Sequence, residues 1–534
     1  MRDLTAHLMP KMATTAGRTD RPSTLEKVCY GIGALSYMTT LHVLNFYLNY
    51  FLVTVAQVPP LDLLLVGVLG RVAEIFSYPV LTSLITRTDT RWGQLKPWIL
   101  GCTLVMVPFY MLEWYVPDVA PGGKIAYFVA LYITESVLNS GVTLAHRTLV
   151  MHISDDSSDR ESAIAFRSAC GLIGMVVGVA VEGQIVVAFD GSLSGTCNHS
   201  NGSVNRTGSN VTSTSPLQTG RQEVGYLVAA GIICLLALIF ATITLTTVRE
   251  RTAFLQKKTA EPLRRSLKRL MTHKPSVCTF LLSLCFFLAT HTFQQSLALY
   301  VQYSLGLGGQ VQNCLLALVG SCLIGIPVFM VLMTKFDKKP ISIGNILVLI
   351  PIVLGLLFVP GPNLVFALLL LAVFGMTYSL LFILPWMMLS DVSDILKLQT
   401  GRSYDTLLHG VLSTAQRITG AIAFGAISAA LEIGGYESGD CAQPESVGRA
   451  IRWNVTILPI TSLVLSLMVL WQYPITEEMR QRTKEALEQI RTTGEERLRQ
   501  ERKKKSDDNT ADEVSEDVRR KQNRDGVENV GFSV

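Results

Sequence analysis

Apolar runs of about 20 residues or more recur along this chain from residue 30 to residue 472, separated by short polar stretches. A run of that length crosses the ~30 Å hydrocarbon core of a bilayer as a helix, where no water is present to satisfy backbone groups and the helix satisfies its own. The chain therefore reads as an all-α membrane protein. Only 16% of its 534 residues are charged and 49% are hydrophobic, with a mean hydropathy of +0.37. A soluble chain of this length would spread more charge over several domains. Twelve spans are expected, at roughly 30–54, 61–85, 95–116, 125–151, 161–189, 224–248, 276–302, 309–334, 341–359, 363–390, 404–434 and 451–472.

Basic residues orient these spans. Arg2, Lys11, Arg18, Arg21 and Lys27 precede the first, and alternate loops carry Arg87, Arg91 and Lys96, the basic run 249–274, Lys335, Lys338 and Lys339, and Lys397 with Arg402. By the positive-inside rule both termini are cytosolic, which an even span number requires. The net charge of +5 is spread over these loops, so no nucleic-acid partner is expected. The loop 190–222 then faces outward, and it holds four N-x-S/T sequons, at Asn198, Asn201, Asn205 and Asn210. A fifth, at Asn454, opens a hydrophobic span and is expected to be unused. Eight of the ten cysteines lie in or beside spans and read as small apolar filler. Cys197 and Cys441 lie in outward loops, so they are the pair expected as a disulfide.

Charges inside the spans carry the chemistry. Arg417 lies near the middle of 404–434, and a guanidinium keeps its charge at any physiological pH. At mid-bilayer it costs at least ~2.5–3.5 kcal/mol, so it must face a partner, a substrate or water. Glu74, halfway along 61–85, is as badly placed and is the candidate partner. Arg71 stands one helical turn before Glu74, and Tyr78 one turn after. Two readings of Glu74 coexist: a neutralised ion pair, and a carboxylate that binds a coupling proton or cation. Arg417 can likewise pair with Glu74 or hold a phosphate or carboxylate of the substrate.

Other positions remain open between packing and function. Arg167 is two turns inside span 5, roughly 10 Å at the helical rise, and either snorkels to the cytosol or pairs within the bundle. His146 and Arg147 end span 4, where interfacial placement is expected. Asp391 and Asp394 end span 10 at its cytosolic mouth, as helix caps, partners of Lys397 or gating residues. Phe374, Tyr378, Phe382 and Trp386 recur every fourth residue along span 10, a stripe that packs or lines a cleft, with Phe382 and Trp386 taken as candidate substrate contacts.

The longest cytosolic loop, 249–275, divides the spans six and six, a plan that resembles the major facilitator transporters. The expected parts are a cytosolic tail (1–26), a first six-helix half (27–248), a linker (249–275), a second half (276–473) and a charged cytosolic helix and tail (474–534). The loop RWGQLKPW (91–98) is similar to the G-x-x-x-K/R-P-W signature of cation–sugar symporters of that superfamily. KVCYGIGALSY, TVAQV, LKPWILGCT, DRESAIAFR, EGQIV, FDKKP, LPWMMLSDVSD, GGYESGDCAQPE and YPITEEMRQRTKEALEQIR resemble the sodium-dependent lysophosphatidylcholine symporters more specifically. That resemblance runs from about Lys27 to Arg491.

The resemblance implies transport of lysolipids with a phosphate headgroup. It implies that the phosphate meets a basic residue of span 11, here Arg417, and that sodium meets two acidic positions of span 2, here Glu74 and Tyr78. Tyr78 supplies no carboxylate. Gly171 stands where the family has a glutamate, and Gln294 replaces another acid. Cys197 and Cys441 match the family's disulfide between halves. The expected protein is a monomeric plasma-membrane transporter, with the endoplasmic reticulum a second location. Its partners are a lysophospholipid and membrane lipids; it has no organic cofactor or metal centre, and its coupling ion is sodium or a proton. A sphingosine-phosphate exporter, a symporter of sugars or small polar solutes, and a membrane scaffold that transports nothing are the alternatives. Nothing in the sequence points to an enzyme.

Overall fold

The computed structural model describes residues 22–88, 90–154, 157–189, 216–250, 263–359, 361–400, 404–438 and 443–483, with 485, 486 and 489 beyond them. The first long helix, α1 (Thr24–Val43), passes through a π-helical turn at Leu44–Leu48 into α2 (Asn49–Thr54). Then come α3 (Pro60–Arg87), α4 (Lys96–Glu113), α5 (Pro121–Leu149), α6 (Ser157–Phe189) and α7 (Pro216–Thr247). A short helix, α8 (Leu263–Thr272), precedes α9 (Lys274–Leu299), which also ends in a π-helical turn, Tyr300–Ser304. Next are α10 (Val311–Lys335), α11 (Lys338–Gly355), α12 (Leu364–Thr400), α13 (Asp405–Gly434) and α14 (Glu445–Gln472). Among the described residues, ten helices are long and apolar enough to cross a membrane. The interrupted helix 24–54 and α4 complete the expected series of spans.

Prolines mark several helix starts, at Pro60, Pro97, Pro121 and Pro275, where the missing N–H has no intrahelical partner to lose. The paired π turns recur at corresponding places, near the ends of the first spans of the two sequence halves. π turns concentrate at functional sites, and here the first presents Asn45.

Two compact units are distinguished. The larger comprises Thr19–Leu389 and Thr406–Pro474; the smaller includes Ser390–Asp405 and the chain from Ile475. In the larger unit α1 packs on α6 and α7, α3 on α5, α4 on α5 and α7, and α9 on α14, while α6 meets α10. In the smaller unit Glu477 and Glu478 pair with Arg480 and Arg482 along one helical stretch.

Helix α3 shows how the membrane sorts its faces. Leu61, Leu65, Leu69, Val72, Phe76 and Val80 follow one another at three- and four-residue steps and are all exposed, Phe76 by 73%. Such a stripe is a lipid face. The opposite face holds Val66, Gly67, Gly70, Arg71 and Glu74, all buried. A Cβ at Gly67 would come within 2.2 Å of the Phe424 ring of α13, and one at Gly70 within 2.3 Å of the Tyr132 ring of α5. Glycine at these two positions lets α3 lie close to both neighbours.

Candidate functional site

The buried face of α3 brings Arg71 and Glu74 together one turn apart. Arg71 Nη1 donates to Glu74 Oε2 at 3.1 Å, and Arg71 Nη2 donates to Asn45 Oδ1 at 2.8 Å. From α13, Arg417 Nη2 lies 2.9 Å from Glu74 Oε1, with both side chains about nine-tenths buried (11% and 7% exposed). Ser140 of α5 joins them: its Oγ donates to Glu74 Oε1 at 3.3 Å and accepts from Arg417 Nη2 at 3.3 Å. The Arg417 guanidinium also stands 4.4 Å from the centre of the Tyr78 ring, a cation–π contact. Four elements thus converge on one carboxylate carrying two guanidiniums. The net positive charge favours an anion, and an anion that takes Arg417 leaves Glu74 still held by Arg71.

Beside this centre lies a small cavity lined by Leu41, Leu44, Asn45, Arg71, Glu74, Tyr132, Glu135, Ser136 and Asn139. It has room for about one water. Glu135 and Asn139 were not singled out from the sequence. They lie on α5 with Tyr132, Ser136, Ser140 and Thr143, at three- and four-residue spacing, a polar stripe that was legible in span 4. Glu113 and Glu182 were also passed over: each is a lone acid in an apolar run, yet each is 1% exposed or less.

The aromatic stripe of α12 divides. Phe374 and Tyr378 are buried against Phe293, with ring centres 4.3 and 6.3 Å away, and act as packing. Phe382 and Trp386 are half-buried. Phe382 faces His42 across 5.9 Å; Trp386 stacks on His409 at 5.8 Å and carries the Arg147 guanidinium 5.6 Å from its ring centre. Arg147 Nη1 also donates to Ser413 Oγ at 3.4 Å. Of the two residues that end span 4, Arg147 is half-buried. His146 is buried, stacked on Tyr30 at 4.5 Å with its Nε2 2.9 Å from the Tyr30 carbonyl oxygen.

Arg167 is half-buried on α6, with the Tyr30 hydroxyl within its electrostatic reach. Asp391 is buried and Asp394 half-buried on the last turns of α12, in the smaller unit. Asn454 lies within α14 and donates to Ser296 Oγ at 3.1 Å. Cys197, Cys441, Asn198, Asn201, Asn205 and Asn210 lie outside the described residues.

Residues 29–477 match the family model described as MFS/sugar transport protein. Sodium-dependent lysophosphatidylcholine symporter 1 of Gallus gallus is 31% identical over 88% of this chain and 90% of its own length. The Homo sapiens protein of the same name is 29% identical over 88% and 89%. Sphingosine-1-phosphate transporter MFSD2B of Xenopus tropicalis is 29% identical over 89% and 92%. Among solved structures, a bacterial homologue of the human lysosomal transporter Spinster superposes with a TM-score of 0.60 over 86% of this chain and 96% of its own, at 13% identity. The D-xylose–proton symporter gives 0.58 over 84% and 97%, also at 13%. These proteins are transporters and not enzymes, and the structural likeness is one of fold. The chain is a multi-pass membrane protein of the major facilitator fold, and it belongs to the family of the sodium-dependent lysophosphatidylcholine symporters.

Proposed function

We propose that the chain is a secondary transporter of lysophospholipids, working by alternating access at the plasma membrane with both termini in the cytosol. The observation that carries this reading is Arg417, a largely buried cation of α13 (11% exposed) shared between Glu74 and Ser140. A headgroup phosphate can replace Glu74 on Arg417, since a guanidinium binds phosphate bidentately. Because Glu74 belongs to α3, that exchange breaks a bond between helices of the two halves and so couples cargo to movement. Phe382 and Trp386 are assigned to the acyl chain, with Arg167 a further basic contact along the route. Arg71 keeps Glu74 partly neutralised when Arg417 leaves.

Glu74 is the residue assigned to the coupling cation. The relatives' name makes sodium the first ion to test. Tyr78, with no carboxylate to offer, makes the proton the second. Asp391 and Asp394 are assigned to the cytosolic gate. Loop 190–222 carries the glycans, and Cys197 with Cys441 form the disulfide. A second reading, export of a sphingoid phosphate, is favoured by the same phosphate-binding arginine and by the MFSD2B relative.

Uptake and efflux of labelled lysophosphatidylcholine and sphingosine phosphate, with and without sodium, test the assignment. Flux of one of them that Arg417→Ala abolishes supports it. A membrane protein of normal abundance that moves neither lipid removes it.

A further inference from the structure

Arg147 takes no part in the exchange between Glu74 and Arg417, yet it reaches across to the helix that carries Arg417. We propose that Arg147, laid over Trp386, sets the headgroup charge that the site accepts. It favours a phosphomonoester over a phosphate that carries a quaternary ammonium. The proposal rests on the transport reading and narrows its substrate class.

The end of α5 brings Arg147 from the first sequence half to the second. Its Nη1 donates to Ser413 Oγ of α13 at 3.4 Å. Ser413 stands one turn before Arg417 on that helix, about 6 Å along the axis. Two turns earlier on α5, Ser140 Oγ accepts from Arg417 Nη2 at 3.3 Å. Two rungs therefore join α5 to α13, each made of one arginine and one serine. Opposite helices supply the two guanidiniums, and both lie along one short stretch of α13.

The two differ in their counter-charges. Arg417 has Glu74 at 2.9 Å. Among the described residues, no carboxylate lies within ion-pair distance of Arg147, and its Nε is buried with no hydrogen-bond partner. Besides Ser413, it meets the Trp386 ring, with the guanidinium carbon 5.6 Å from the ring centre. A guanidinium carries five N–H donors, so a half-buried one held by a serine and an indole has donors to spare. A phosphomonoester brings three terminal oxygens and nearly two negative charges, enough to bridge Arg417 and Arg147.

The same arrangement opposes a quaternary ammonium. Such a cation binds the face of an aromatic ring, and tryptophan binds it best. Arg147 already lies over Trp386, His409 stacks on that ring at 5.8 Å, and Phe287 approaches it to 6.0 Å. A choline group arriving there meets the guanidinium as a like charge and gains the ring only by displacing it. Phe382, the other ring assigned to the lipid, has His42 at 5.9 Å and offers the weaker face.

A matched pair of lipids provides the test. In liposomes holding the full chain, with sodium present, flux of oleoyl lysophosphatidic acid is compared with flux of oleoyl lysophosphatidylcholine. The two differ only in the choline. The expected result is that the unaltered chain favours the phosphomonoester about tenfold or more in kcat/KM. Arg147→Gln and Arg147→Met should each cut that ratio about tenfold, by slowing the phosphomonoester, and Arg147→Lys should keep part of it. An unaltered chain that moves both lipids alike, or favours the choline lipid, overturns the assignment. So does an equal fall for both lipids in the Gln and Met variants, the mark of a structural role for Arg147. Absence of flux in the unaltered chain for both lipids and for sphingosine phosphate removes the transport reading instead.

Discussion

Three charges share one buried site, so removing them singly should not cost the same. Glu74→Gln leaves Arg71 and Arg417 facing each other with no carboxylate between them. Breaking a buried pair in this way costs about 3–5 kcal/mol, most of it the stranded charge. Arg417→Ala leaves Glu74 with Arg71 still at 3.1 Å, so the local charge stays balanced. The loss is then about 1–3 kcal/mol, one charge-assisted hydrogen bond and some packing. The double variant strands only Arg71, which keeps Asn45 at 2.8 Å. Its cost should fall short of the sum of the single variants by about 1–3 kcal/mol, the size of coupling expected for residues in one network. The assay is unfolding of the purified protein in detergent, followed by tryptophan fluorescence for all four members of the cycle. Glu74→Gln must lower the midpoint more than Arg417→Ala does. Equal losses, the reverse order, or strict additivity would refute the argument that Glu74 is the shared anion of two arginines.

Four further outcomes are expected. Tyr78→Asp puts a carboxylate beneath the Arg417 guanidinium, which now stands 4.4 Å from that ring, and should steepen the sodium dependence of lipid flux; an unchanged sodium titration argues against it. Gly67→Val drives a side chain into the Phe424 ring and should cost about 1–3 kcal/mol, with part of the loss recovered by Phe424→Leu, as a thermal-shift series would show. Trp386→Ala removes the cation–π contact of Arg147, worth about 0.5–2 kcal/mol, and should slow flux, while Trp386→Phe keeps most of it. Asn454→Gln should leave the mass released by glycosidase unchanged, whereas replacing Asn198, Asn201, Asn205 and Asn210 together should abolish it.

Part of this architecture was legible in the residues because the bilayer is a demanding solvent. The lipid stripe of α3 and the buried face bearing Arg71 and Glu74 follow from helical spacing alone. Arg417 and Glu74 stood out because each is a charge in a long apolar run, and mid-span charges need partners. The π-helical turn that aims Asn45 at Arg71 could not be read, since it changes the rise of the helix without changing its apolar pattern. The stacking of His146 on Tyr30 could not be read for a related reason: it depends on how α1 and α5 cross, which a single-helix pattern does not contain. The aromatic stripe of α12 spaced its rings evenly, yet only two of the four escape packing against Phe293.

The buried acids were missed because each was weighed against its own span rather than against its neighbours. Glu74, Glu113, Glu135 and Glu182 are all nine-tenths buried or more, and all lie on N-terminal helices, whereas Arg417 comes from α13. In the proposed mechanism these acids, with Arg71 beside Glu74, form the cation side of the site, and Arg417 forms the phosphate side. In that arrangement neither ligand meets its own counterpart until the two sides separate at Glu74. A cation on Glu74 and an anion on Arg417 each weaken the same 2.9 Å contact, so binding of one lowers the cost of binding the other. Coupling between cargo and ion then needs no direct contact between them, only competition for a single shared ion pair.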